Sequence, residues 1–476
     1  MQRRIFIKNV GWLAGGLLVG CNKKIYPGAD DGKLLKGYVK SGNKGIANVV
    51  VSDGYSVVAT NNKGAYEFEP HPDATSVFIS TPSGHAFANE KGIARHYRLF
   101  SNVNLKKSVD FDLAPLDKDD NEHQFIIWAD PQVKNAKDVE KMMKHSVPDV
   151  QKFVAAAGAD TLLHGITVGD IVWDNHDLFS EYDKAVEQMG IPFFQCLGNH
   201  DMDYTNGSDE SSDDTFQQTY GPTYYSFNRG QVHYVVMDNV RYLGKDREYD
   251  GFFQQNQLDW LQKDLAFVSR DKLVVLCVHI PVHKGTKNSD ALYSLLEGRN
   301  VHIMSGHTHY NVNAVKDTIY EHNHGTVCGA WWTGSICEDG TPNGYGVYKV
   351  KGTELSWHYQ STGQDADHQL RIAVNEFNAD QKQVQVNIWN HDPAWKTEYF
   401  LDGASQGALE QFEGFDLQAY TSMLGPNLPK TRSFAEPKKT SHLFKALVPA
   451  SAKEFKVVAT DRFGKQYTEI HSLTAR

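Results

Sequence analysis

The 476-residue sequence predicts a layered α/β core flanked by two all-β, sandwich-like domains. In the central region, 123–361, apolar strand-like runs alternate with segments whose apolar residues recur at helical spacing, a pattern typical of layered α/β proteins. One such segment, 139–157, contains Pro148, which predicts a break in its helix. On either side, in 34–115 and 365–476, short strand-like runs are separated by turn residues and predict β-rich domains.

Composition excludes several other classes of protein. Hydrophobic residues make up 40% and charged residues 22% of the chain, which excludes extended disorder, collagen and coiled coil. The formal net charge of −10 argues against attraction to polyanions, so no nucleic-acid-binding surface is expected. No run in the body of the chain has the roughly 18 apolar residues that a membrane-spanning helix needs.

Residues 1–20 predict an export signal rather than part of the fold. Arg3 and Arg4 precede a short apolar run that ends in small residues before Cys21. The ending Leu-Val-Gly-Cys resembles a bacterial lipoprotein signal, and the basic start also resembles a twin-arginine signal. These resemblances imply lipidation at Cys21, a tether over 21–33, and a protein that is lipid-anchored to a bacterial membrane on the periplasmic side or at the cell surface. The alternative is an apolar N-terminal helix with a buried cysteine.

Residues 34–115 predict a small β-sandwich. The runs 49–51 and 77–79 are strand-like, and turns are predicted at 52–54 and 61–64. The stretch resembles the transthyretin-like modules that are appended to secreted bacterial enzymes. Because it holds no cluster of reactive side chains, we expect it to serve as a spacer or packing module.

Polar residues follow the apolar strands of the central region, each where a strand is predicted to end. Ligands of α/β sheets bind beyond the carboxyl ends of the strands, so these side chains are expected to meet at one edge. Carboxylate, amide and imidazole groups together suit Zn, Mn or Fe and need no thiolate. The residues are Asp130, Gln132, Asp170, Asn199, His200, Asp201, His279, His307 and His309.

The order Asp-Pro-Gln, Gly-Asp, Gly-Asn-His-Asp, His and Gly-His-Thr-His resembles that of the calcineurin-like metallophosphoesterase superfamily. The resemblance covers about residues 123–360 and implies a two-sheet core covered by helices (α/β/β/α). The flanking domains resemble the N- and C-terminal modules of a bacterial lipoprotein subgroup. The resemblance also implies two divalent metal ions, Mn, Fe or Zn, and a small phosphomonoester or phosphodiester as substrate.

The resemblance assigns a role to each residue of the motifs. Asp130 and His309 would hold the first metal, Asn199, His279 and His307 the second, and Asp170 both. A hydroxide bridging the metals would attack phosphorus. His200 would stabilise the developing charge or protonate the leaving alkoxide, with Asp201 orienting its imidazole. Gln132 stands where the superfamily usually has histidine, which leaves its direct ligation open.

An exported lipoprotein that binds a ligand through its β-modules and carries a vestigial metal site is the rival hypothesis. The intact set of motif residues argues against decay, because drift has no reason to spare them all.

Three further features allow two interpretations each. The acidic loop 203–214 is expected to be solvated, although it could also repel polyanions from the site. Trp331 and Trp332 either wall the site or pack in the core. Cys328 and Cys337 either form a disulfide or stay free.

Overall fold

The computed structural model describes residues 34–424, 432 and 434–474. The predicted signal peptide (1–20), the lipidation site Cys21 and the tether (21–33) lie outside the described residues. Among the residues described, no helix is long and apolar enough to cross a membrane. They form a layered α/β core with a β-sandwich on each side, which confirms the predicted fold class.

The N-terminal domain consists of two small sheets around one apolar core. In the Leu35–Ser41 strand, alternate residues are buried, as expected for a strand that packs on one face only. One sheet contains Leu35–Ser41, Lys44–Gly45, Ala65–Phe68 and Phe111–Asp112, and the other contains Val50–Ser52, Val57–Ala59, Ser76–Ile79 and Tyr97–Leu99.

A hairpin from the N-terminal region leaves this sandwich and joins the core. Its strands are Asn89–Glu90 and Ile93–Ala94, and Ile93 pairs with Phe193 of the core in parallel orientation. The larger core sheet is therefore completed by residues that precede the core in sequence.

The core contains two sheets that pack face to face. Phe125 of one sheet contacts Tyr234 of the other, with their ring centroids 5.4 Å apart. The strands of the first sheet, in spatial order, are Glu354–Ser361, Gly344–Lys351, Glu122–Trp128, Leu163–Val168, Phe193–Cys196, Ile93–Ala94 and Asn89–Glu90. Those of the second are Tyr225–Arg229, Val232–Val236, Leu273–Cys277, Asn300–Ser305, Ile319–Asn323 and Val312–Lys316. A separate hairpin pairs Val240–Tyr242 with Tyr249–Gly251.

Helices cover the outer faces of both sheets. Within Glu122–Trp128, Phe125 and Ile127 pack between the sheets, whereas Ile126 and Trp128 pack against helices. Strands buried on both faces read as continuous apolar runs, which explains the pattern of the sequence. The helices of the core are Ala136–Lys141, Val147–Ala157, Phe179–Met189, Asp214–Tyr220, Gln255–Leu265, Val282–Gly285 and Ser289–Leu296, with single 3₁₀ turns at His176–Leu178, Asn199–Asp201 and Asp209–Ser211.

The helix predicted to break at Pro148 continues instead. Ala136–Lys141 passes through a π-helical turn, Met142–Ser146, into Val147–Ala157. Pro148 lies in the first turn of the last segment. The proline lacks the N–H that would bond to a carbonyl of the preceding turn, and the π-helical turn directly before it accommodates this interruption of the hydrogen-bond ladder.

The C-terminal domain is a second sandwich, with its own apolar core. One sheet contains Arg371–Glu376, Gln381–Asn387, Lys439–Pro449 and Glu410–Phe415, and the other Ala404–Gly407, Lys396–Leu401, Glu454–Thr460 and Gln466–Ser472; a helix spans Leu417–Leu424. His442 of this domain is hydrogen-bonded to Asp339 of the core (2.9 Å) and to Asn387 (2.7 Å). Buried polar contacts thus fasten the domain to the loop that follows the last motif.

Candidate metal centre

The predicted strand ends converge at one edge of the two core sheets. Asp130 and Asp170 follow neighbouring parallel strands of the first sheet, and His279 and His307 follow neighbouring parallel strands of the second. The predicted metal residues are buried, apart from His307, which is partly exposed. The paired sheets therefore supply donors from both sides of a single site.

Four atoms that can bind a metal crowd together, and one of them is an oxygen of Asp170. His279 Nδ1 lies 2.8 Å from the carbonyl oxygen of Val168, which can only accept, so this nitrogen carries a proton. The other ring nitrogen, Nε2, is 3.0 Å from Asn199 Oδ1, 3.1 Å from His307 Nδ1 and 3.2 Å from Asp170 Oδ1. Lone pairs this close repel one another unless a proton or a metal ion lies among them. The residues therefore fit a divalent cation.

A second group of donors lies on the other side of Asp170. His309 Nδ1 is hydrogen-bonded to the carbonyl oxygen of Gly329 at 2.6 Å, and its Nε2 faces Asp130 Oδ1 at 3.8 Å. The Gln132 side chain donates through its amide nitrogen to Asp170 Oδ2 at 3.1 Å. Asp170 therefore presents one oxygen to each group. Direct ligation of a metal by Gln132 stays a prediction.

The pKa values of the site reflect burial in competition with close charges. Burial raises the pKa of Asp130 to about 8. Burial would lower the pKa of His279, but Asp170 and Asp130 outweigh it and raise this pKa to about 9. Burial, together with the positive charge on His279, lowers the pKa of His307 to about 3. The crowding that favours a cation thus also favours a proton on His279, and metal binding would displace that proton.

Several donor residues adopt left-handed backbone conformations. The φ angle is 49° at Asp130, 48° at Asp170, 72° at His307 and 53° at His309. Such conformations cost roughly 1–3 kcal/mol each for residues other than glycine and cluster at functional sites. They turn the chain sharply after each strand, at the positions where donor side chains are needed.

The glycines of the motifs are needed because atoms of neighbouring motifs lie close to their Cα atoms. A Cβ atom at Gly306 would lie 2.4 Å from Asp130 Oδ2, and one at Gly198 would lie 2.0 Å from the backbone nitrogen of Asp170. Both distances are far below van der Waals contact. The glycines before Asn199 and His307 therefore allow the strand ends to meet.

Asp201 does not orient His200, and that prediction is wrong. The Asp201 carboxylate is fully buried and accepts hydrogen bonds only from the backbone among its described partners. These donors are the N–H groups of Ile171, Val172 and Gly198, at 3.1, 3.1 and 2.9 Å. Asp201 therefore holds two motif loops together.

Asp174 makes the contact that was assigned to Asp201. Its Oδ1 lies 2.9 Å from His200 Nδ1, and its Oδ2 accepts from Arg247 at 2.5 Å. Burial would lower the pKa of His200, but Asp170 and Asp174 outweigh it and raise this pKa. Sequence reasoning missed Asp174, although an acidic residue four positions after Asp170 was a usable signal.

The two tryptophans have different roles. Trp331 is partly exposed and stacks on the His309 ring, with a centroid distance of 4.3 Å. Trp332 is buried and donates its indole N–H to the carbonyl oxygen of Pro131 at 3.0 Å. One therefore lines the site and the other packs beneath it.

The acidic loop 203–214 is structural rather than merely solvated, contrary to the expectation from sequence. Asp203 accepts from the Thr215 backbone N–H at 2.8 Å, and Asp209 accepts from the Tyr242 backbone N–H at 2.6 Å. These carboxylates fix the loop against its neighbours.

Cys328 and Cys337 are free thiols in the structure, so the disulfide interpretation is not supported. Both are buried, and Cys328 Sγ lies 3.6 Å from His309 Nδ1.

A buried set of carboxylate, amide and imidazole donors at the strand ends of a layered α/β fold defines a metal-dependent enzyme. Family models named calcineurin-like phosphoesterase, its N terminal and its C terminal match residues 123–311, 33–116 and 321–467. The chain belongs to the calcineurin-like phosphoesterases, and it is accordingly a metal-dependent hydrolase of phosphoric esters. This confirms the family predicted from the motifs.

Comparison with solved structures gives distant similarities. A dimetal phosphatase from Danio rerio is 15% identical, with a TM-score of 0.36, and the match covers 50% of this chain and 96% of that one. A purple acid phosphatase from yellow lupin (Lupinus luteus) seeds is 13% identical, with a TM-score of 0.32 and coverage of 76% and 68%. A putative 5′-nucleotidase from Staphylococcus aureus is 13% identical, with a TM-score of 0.32 and coverage of 51% and 53%. No curated protein matches the sequence.

Gly306→Ala is expected to reduce metal affinity by at least about 10-fold, because the added Cβ would overlap the Asp130 carboxylate. Metal content after dialysis against a graded chelator measures the effect. Gly334→Ala is the matched control, since nothing lies within 4 Å of its added Cβ. Equal metal retention in the two variants would contradict the close approach.

Asp174→Asn and Asp201→Asn are expected to fail in different ways. Loss of the Asp174 charge should lower kcat about 10- to 100-fold with little change in thermal stability, because His200 loses its partner. The Asp201 variant should lose about 1–3 kcal/mol of unfolding free energy, because an amide NH₂ would face backbone N–H groups. Steady-state kinetics and urea unfolding of both variants test this. The reverse pattern would support Asp201 as the residue that orients His200.

Proposed function

We propose that the protein is a dinuclear phosphoesterase that hydrolyses a small phosphomonoester or phosphodiester. The observation that carries this proposal is the sharing of Asp170 between two donor groups, with one carboxylate oxygen facing each. Asp130 and His309 would hold the first divalent metal ion, beside Gln132. Asn199, His279 and His307 would hold the second, and Asp170 would contact both. The donor types suit Mn, Fe or Zn.

The chemistry of such a site accounts for the binding of an anion by an acidic protein. Two bound divalent cations would lower the pKa of a water molecule and neutralise charge on a phosphate. Against the four positive charges of the cations, the carboxylates of Asp130 and Asp170 bring two negative charges and a bound hydroxide brings one. The local charge would therefore be positive, even though the formal charge of the chain is −10.

His200 is positioned to donate a proton to the leaving group. Its Nδ1 faces Asp174, so Nε2 is the ring atom available to a substrate. The side chain retains 23% exposure, which allows contact with a bound ester. The Asp174 carboxylate at Nδ1 favours the protonated ring that a general acid requires.

A panel of phosphoesters tests the proposed function directly. The purified protein, supplied in turn with Mn, Fe and Zn, is assayed with p-nitrophenyl phosphate and bis(p-nitrophenyl) phosphate. Turnover that depends on about two bound metal ions per chain is expected. No metal binding and no turnover with any ion would favour the binding lipoprotein with a vestigial site.

His200→Ala is expected to lower kcat by about 10²–10⁴-fold with metal content unchanged, because the ring transfers a proton and does not bind metal. His176→Ala is a suitable control, because His176 is a neighbouring, partly exposed histidine that contacts Asp203 instead. Loss of metal from the His200 variant would show that this ring is a ligand.

We also propose that the protein is exported and anchored to a bacterial membrane by lipid at Cys21. The support is the sequence alone: a basic start, a short apolar run and small residues before the cysteine.

Cys21→Ser is expected to move the protein from the membrane to the soluble fraction, because acylation needs the thiol. Cell fractionation and immunoblotting measure the shift, with Asn22→Ser as the neighbouring control. Membrane retention of the Cys21 variant would point to an uncleaved helix.

A further inference from the structure

Three aromatic rings form a cluster beside the metal centre, which we call the aromatic ledge: Trp173, Trp331 and Phe434. The ring centroid of Phe434 is 5.6 Å from that of Trp173 and 5.0 Å from that of Trp331, and the two tryptophans are 6.4 Å apart. The rings come from three distant parts of the sequence, so their contact is a product of the fold.

The aromatic ledge extends between the two ends of the candidate site. Trp173 meets the His200 ring in an edge contact at 5.6 Å, and Trp331 stacks on His309 at 4.3 Å. A substrate whose phosphate reached the donor cluster would therefore place its remaining atoms near these rings.

Phe434 is held at this position although it is not buried. Arg432, two residues earlier, donates hydrogen bonds to the carbonyl oxygen of Trp331 and to the buried carboxylate of Asp138. These bonds fix the Arg432 side chain against the core. Phe434 nevertheless remains 52% exposed, so burial in a core does not account for a large apolar side chain here.

Of the three rings of the aromatic ledge, that of Phe434 is the most exposed to solvent. Trp331 uses one face on His309, and the ring of Trp173 is approached by the Arg432 guanidinium (5.1 Å) and the Lys134 ammonium group (4.2 Å). A flat group entering the site would therefore stack on Phe434 in preference to the tryptophans.

We infer that the substrate is a phosphoester whose leaving group carries a planar aromatic ring, as in a nucleoside or an aryl-substituted alcohol. The inference rests on the proposed function. Water adds to phosphorus as the bond to the leaving oxygen breaks, and His200 gives that oxygen its proton. Because Trp173 contacts His200, the rest of the leaving group extends over the ledge, where its ring stacks on Phe434.

Matched pairs of esters isolate the contribution of the ring. Adenosine 5′-phosphate and ribose 5-phosphate release the same type of primary alcohol and differ in the base. Benzyl phosphate and ethyl phosphate form the corresponding aryl pair. All four are used as monoesters, or as methyl diesters, according to which type the wild-type holoenzyme hydrolyses. The two pairs distinguish a nucleoside from a simpler aryl group.

Wild-type holoenzyme is expected to prefer the aromatic member of at least one pair by about 10-fold in kcat/KM. Phe434→Ala should reduce this preference to about 2-fold or less, through a loss of kcat/KM for the aromatic member. Phe434→Tyr should retain it. Phe377→Ala is the matched control, because Phe377 is 55% exposed and lies in the C-terminal sandwich.

Turnover of both members of each pair at equal kcat/KM would overturn the inference and leave the proposed function standing. A preference that survives Phe434→Ala would likewise overturn it. Absence of turnover with every ester would overturn the inference and the proposed function together.

Discussion

The carboxylate of Asp170 is the group on which the arrangement of the core depends. It is buried, and it contacts the ring of His279 from the opposite sheet, the amide of Gln132 and the backbone N–H of His200. A buried charge is stable only when other groups compensate it, so the strand ends must come together around this one side chain. The left-handed backbone and the motif glycines follow from that requirement, because without them the surrounding loops could not approach closely enough.

The sequence was sufficient to predict that the motif side chains converge, because each follows an apolar strand and strand ends of paired sheets meet at one edge. It was not sufficient to predict the partner of His200. Asp201 is adjacent to His200 whereas Asp174 is 26 residues away, and only the fold shows that the first faces backbone N–H groups and the second the imidazole. Adjacency in sequence does not determine direction when the chain turns sharply between two residues.

Long-range contacts account for the other differences. The acidic loop was expected to be solvated because its composition is polar. Asp209 nevertheless accepts a hydrogen bond from the backbone N–H of Tyr242, 33 residues away. Phe434 and Trp173 are far apart in sequence, and no periodic pattern connects them. Periodicity predicts which face of an element is buried, whereas contacts between loops depend on how complete domains pack. The core layers were therefore predictable, and the surroundings of the site were not.

The hairpin Asn89–Ala94 supplies the last two strands of the larger core sheet. Without it, the buried strand Phe193–Cys196 would form the outer edge of that sheet, with unpaired backbone groups and apolar side chains available to another molecule. The hairpin instead ends the sheet in Asn89 and Glu90, a short, exposed and polar strand. A catalytic core cut free at the start of its own first strand would therefore expose that edge, so the N-terminal module is expected to be needed for the core to stay monomeric.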